Sequence, residues 1–85
     1  MSSSALTDLA ARLAEDTLDI MDRTGDDRLF FEVAKVLGSS SQTIEEAFIT
    51  EIRARLAERQ ARDFLKSKVQ DYKARTRDTA PEGGA

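Results

Sequence analysis

Residues 43–77 contain neither glycine nor proline, and this uninterrupted stretch constrains the fold more than any other feature of the sequence. Three acid-before-base pairs four residues apart, Glu51/Arg55, Glu58/Arg62 and Asp71/Arg75, each add about 0.2–0.5 kcal/mol to an exposed helix. One long helix follows, on the order of 50 Å at 1.5 Å per residue. A compact chain of 85 residues has a radius of gyration of only about 12 Å. The helix must therefore outrun its own domain or bend.

The helix breakers lie elsewhere, at Gly25, Gly38, Pro81, Gly83 and Gly84. They divide the chain into an all-α fold of three helices, about 4–23, 27–37 and 43–77, with 1–78 a single helical domain and 79–85 a flexible C-terminal tail. In the first helix Leu6, Leu9, Ala10, Leu13, Thr17, Ile20 and Met21 recur at three- and four-residue spacing and share one face. Ser3 or Ser4 caps its start. Gly25 suits the left-handed position at its end, and Asp26 is placed to accept from the free amides of the next helix. The second helix carries Leu29, Phe30, Val33, Ala34, Val36 and Leu37 around most of its circumference, which predicts the central and most buried position. Phe31 lies off that face and reads either as a further buried ring or as an exposed anchor. Gly38 stops the helix, and Thr43-Ile44-Glu45-Glu46 fits a capping box that opens the third.

Along the third helix the apolar pattern changes phase. Ile44, Phe48, Ile52 and Leu56 form one slowly drifting stripe, with Ile49 at its edge, that can cover the first two helices. Beyond Leu56 the apolar set moves to nearly the opposite side as Ala57, Ala61, Phe64, Leu65, Val69 and Tyr72. The side it leaves becomes basic, with Arg55, Arg59, Arg62, Lys66, Lys73 and Arg77 close together. Two arrangements satisfy this pattern: a break near Ala57–Ala61 that folds the C-terminal half back, or a second chain over the later stripe. Nothing in the segment breaks a helix, and a lone chain this short has a marginal core. A homodimer closed by Ala61, Phe64, Leu65, Val69 and Tyr72 is therefore expected, by compact helix packing because strict heptads are absent.

The residues missing from the chain exclude much chemistry. With no Cys and no His it has no disulfide framework, no thiol nucleophile, no zinc site of the usual ligands and no imidazole acid–base. Asp22-Arg-Thr-Gly-Asp-Asp resembles a calcium loop only superficially, since its glycine is misplaced and the bidentate glutamate is missing. No glycine-rich phosphate loop is present. The reading is no enzyme, no metal and no cofactor. No run approaches the ~18 apolar residues of a membrane span, and the N-terminal segment lacks a signal peptide's basic start and apolar core. The chain thus reads as a cytoplasmic protein without membrane attachment, and its general style reads as bacterial.

Binding surfaces remain. Asp8, Glu15, Asp19 and Asp22 lie opposite the apolar face of the first helix, as a solvated face or an acidic docking surface. Arg55, Arg59, Arg62, Lys66 and Lys73 form either the wet side of a packed helix or a basic docking stripe, with Arg77 at its far end, that tracks phosphates or an acidic protein over about 33 Å. Against nucleic acid stand the net charge of −3, the interspersed Glu51, Glu58 and Asp63, and the scarcity of aromatics for stacking.

The segment from Phe30 to Ala47 resembles the helix-turn-helix of bacterial transcription regulators through Val33, Ala34, Leu37, Gly38, Thr43, Ile44 and Ala47. The resemblance covers 18 residues and implies DNA binding. Ser39 departs from it, because an apolar residue usually anchors the turn there. So does the reading helix, whose Gln42, Glu45, Glu46 and Ile49 would set carboxylates against phosphates. The expected function is accordingly a small non-enzymatic regulatory or adaptor protein acting by protein–protein interaction as a homodimer. The alternative is a small DNA-binding regulator that contacts phosphates through the basic stripe.

Overall fold

A computed structural model describes residues 2–84, with side chains for residues 5–76. The architecture is all-α: α1 (Ser2–Thr24), α2 (Leu29–Gly38) and α3 (Gln42–Gly84), with no strand among the described residues. The chain divides into two compact units, Met1–Arg55 and Leu56–Ala85, the boundary falling inside α3. That boundary coincides with the phase change of the apolar pattern.

The α1 terminus follows its sequence. Gly25 has φ +75°, and its N–H donates to the Met21 carbonyl at 2.8 Å, closing the helix through a left-handed residue. The Thr24 hydroxyl donates to the Ile20 carbonyl at 2.8 Å and accepts from the Asp26 N–H at 3.2 Å. The Asp26 carboxylate in turn accepts from the Arg28 N–H at 3.1 Å, just before α2 begins. Ser3 and Ser4 fall inside α1, and their capping lies outside the described side chains.

The α2–α3 junction differs from expectation. Gly38 is the last residue of α2, as its position implied, and Ser39 after it remains right-handed, with φ −68°. The Ser40 and Ser41 N–H groups both donate to the Leu37 carbonyl, at 3.0 and 2.8 Å, so the turn is tight enough for α3 to start at Gln42. The cap is consequently Ser41, whose hydroxyl accepts from the Ile44 N–H at 3.3 Å, and not Thr43. Gly38 matters for space: a Cβ there would lie 2.7 Å from Glu45 Oε1. That oxygen ends a flexible side chain that can swing away.

The two internal glycines should therefore respond oppositely to alanine. Gly25→Ala forces an L side chain into the left-handed region and should cost about 1–2 kcal/mol. Gly38→Ala removes a glycine from the end of a helix and should be neutral or stabilising by up to about 1 kcal/mol. Urea denaturation of the two variants beside the parent measures both.

In Met1–Arg55 the buried apolar residues are Ala10, Ala14, Leu18, Ala34, Phe48 and Ile52. Phe48 and Ile52, one turn apart on α3, are fully enclosed and are the largest of the set. Three of the six are alanines, whose small size lets helices of this unit approach closely. Thr17 is buried with its hydroxyl bonded to the Leu13 carbonyl at 2.8 Å, so α1 carries that polar atom inside without leaving it unpaired.

Two expected faces are corrected. Leu9 and Ile20 of α1 are about half exposed, while Ala14 and Leu18 are buried in their stead. The contact side of α1 is thus rotated toward its small residues. Helix α2 is not the most buried element: only Ala34 is enclosed, and Phe31 and Val36 are open to solvent. Phe31 packs its ring on Phe30 with centroids 4.2 Å apart. The backbone of α3 is helical to Gly84.

Candidate interaction surfaces

Arg55 ends the first unit and anchors it. Its guanidinium donates to Glu51 Oε1 one turn earlier and, across to α1, to Glu15 Oε2 at 3.2 Å. Its side chain is 25% exposed. The hydrogen bond to Glu51 is the main reason its pKa lies above the ordinary arginine value, with partial desolvation opposing and Glu15 adding to the rise. A base whose pKa rises on folding contributes stability below its unfolded pKa and loses it only as pH climbs past the folded one. For arginine that window lies far into alkali, so Arg55 stays charged at any usable pH.

Arg55 thus leaves the expected basic docking stripe and becomes a brace between α1 and α3. Arg55→Met should destabilise the unit by about 1–3 kcal/mol, because a charge-assisted donor to two carboxylates is lost. Thermal unfolding followed by circular dichroism measures it.

The remaining stripe lies in Leu56–Ala85, where residues 57–76 are all exposed. Arg62 pairs with Glu58 through bonds of 3.0 Å, both side chains well exposed, a geometry worth at most a few tenths of a kcal/mol. Phe64, Leu65, Val69 and Tyr72 are between 51% and 69% exposed. A shallow concavity of about 260 Å³ is lined by Leu65 and Val69 with Arg62, Lys66 and Gln70. The helix therefore sets an apolar strip directly beside cationic side chains. Lys68 stands over the Phe64 ring, 5.9 Å from its centroid, a contact that the sequence pattern did not single out. Ala61 shares the exposed strip, and Lys73 is exposed on the same helix.

On α1 the expected acidic face is partly spent within the chain. Glu15 holds Arg55, and Asp19 pairs with Arg23 at 3.0 Å. Asp8 and Asp22 are exposed on the same side of the helix. Asp16, exposed between Leu9 and Ile20, was not part of the expected face. It belongs to a second surface, the apolar-acidic edge of α1, that became visible only once Leu9 and Ile20 proved to be exposed.

Among the described residues no cluster of acidic side chains is arranged to hold a metal ion, and no buried side-chain polar atom lacks a hydrogen-bond partner. No helix among them is long and apolar enough to cross a membrane. Compared with known proteins, the chain matches no family, no curated protein and no solved structure. What defines it is the all-α fold with one anchored unit and one exposed amphipathic helix segment.

Proposed function

We propose that the chain is a small non-enzymatic regulatory or adaptor protein that acts by protein–protein interaction and associates as a homodimer through Ala61, Phe64, Leu65, Val69 and Tyr72. The observation that carries this reading is the exposure of four large apolar side chains on one helix segment. A contiguous apolar strip rimmed by charge is characteristic of association surfaces. The solution mass of the parent chain tests it: a value near twice 9.4 kDa supports the reading, and a value of 9.4 kDa at all concentrations overturns it.

The second reading, DNA binding, draws on the same segment, because residues 59–75 hold six bases against two acids. The start of α3 counts against it: Glu45 and Glu46 stand there, and Gln42 is bonded to Glu46 at 3.4 Å. Titration of duplex DNA should accordingly show no binding at about 150 mM salt. Tight binding that falls steeply between about 50 and 200 mM salt, and disappears on charge reversal of Arg59, Arg62 and Lys66, would replace the adaptor reading with the DNA-binding one.

A further inference from the structure

The proposed dimer leaves open what the exposed stripe of Leu56–Ala85 packs against. Two copies of this segment laid side by side match poorly in charge. Residues 59–75 carry six bases and two acids, a net of +4, so a self-paired segment brings two strongly positive helices together. A complementary surface exists in the same chain. Residues 8–22 of α1 hold five acids and one base, a net of −4. With Glu15 engaged by Arg55 and Asp19 by Arg23, Asp8 and Asp16 are also exposed on that helix.

The apolar parts match as well. Leu9 and Ile20 are 52% and 48% exposed, lie eleven residues apart and share one side of α1, with Asp16 between them. Ala61 and Tyr72 bracket the other stripe with the same eleven-residue separation. Each strip is thus about 16 Å long. One is bordered by carboxylates and the other by Lys66, Lys73 and Arg62.

Resting on the homodimer reading, we propose that the occupant of the Phe64/Leu65/Val69/Tyr72 stripe is the Leu9/Asp16/Ile20 edge of α1 from a second copy of this chain, and the reverse. In a symmetric pair each copy then contributes one strip of each kind. Like charges are kept apart, and the Leu9/Ile20 edge and the Phe64/Leu65/Val69/Tyr72 stripe are covered by the same contact.

Two charge-reversed chains test this. One is Asp16→Lys with Asp19→Lys, the other Lys66→Glu with Lys73→Glu; all four positions are exposed, and circular dichroism checks that each chain folds. Sedimentation equilibrium should give about 9.4 kDa for either variant alone and about twice that for their equimolar mixture, because both contacts of the mixed pair regain opposite charges. Should one variant misfold, the milder pair Asp16→Asn with Asp19→Asn should still weaken association at least about tenfold. If the α1 variant stays dimeric while Phe64→Asp is monomeric, the stripe packs on its own copy; this inference then fails and the homodimer reading stands. A mixture that remains monomeric also overturns the inference. A monomeric parent overturns both.

Discussion

Phe48→Ala is expected to remove most of the stability of Met1–Arg55. Phe48 is fully enclosed, and truncating a buried phenylalanine typically costs about 3–5 kcal/mol, part lost transfer energy and part unfilled cavity. At roughly 0.05–0.15 kcal/mol per residue, a unit of this length holds only about 3–8 kcal/mol in total. Half of the buried apolar set of this unit is alanine (Ala10, Ala14 and Ala34), with no side-chain length with which to refill a cavity. Urea denaturation followed by helical ellipticity measures the loss. A shift under about 1 kcal/mol would show that Phe48 is not the centre of this core. Val36→Ala is the control: Val36 is exposed on α2, so its replacement should change stability by no more than about 0.5 kcal/mol.

The second large effect concerns association. Phe64→Asp combined with Leu65→Asp places two carboxylates in the strip proposed to be buried in the dimer, where an unpaired charge is strongly disfavoured. Self-affinity should fall at least about 100-fold, which corresponds to near 2.8 kcal/mol at 1.4 kcal/mol per tenfold. Both side chains are exposed in the single chain, so the unfolding midpoint of Met1–Arg55 should remain that of the dissociated parent. An unchanged dimer constant in the double variant would remove this strip from the interface. A lowered midpoint would show instead that Phe64 or Leu65 supports the fold.

The order and type of the three helices were legible because glycines and hydroxyl residues mark their ends, and Gly25 takes the left-handed conformation its position called for. The core of α3 was legible too: Ile44, Phe48, Ile52 and Leu56 were read as one stripe, and its middle members are fully buried while Ile44 and Leu56 are half-buried. The face of α1 was misread because periodicity gives weight to large side chains. The buried line there runs through Ala10, Ala14, Thr17 and Leu18, where small residues allow close approach, and Leu9 and Ile20 are turned outward. The capping residue shifted for a related reason. Three consecutive serines offer several hydroxyls, and the tight turn on the Leu37 carbonyl selects Ser41.

Of the candidate site, the exposed strip from Ala61 to Tyr72 was readable from the phase change alone. The role of Arg55 was not, since its partner Glu15 lies forty residues away and no local spacing connects them. An acid on α1 and a base on α3 each looked like part of a free charged face. Together they form a brace, and the surface open to partners begins after it.

Hydrogen exchange of the backbone amides of residues 57–76, followed as chain concentration rises, tests most directly whether this segment is an association surface. An exposed single helix held only by propensity and i,i+4 pairs opens readily, whereas one packed in a dimer is protected. Protection centred on residues 61–72 should therefore grow with concentration, while the amides around Phe48 and Ile52 stay protected throughout. Exchange across 57–76 that is the same at every concentration would contradict the account.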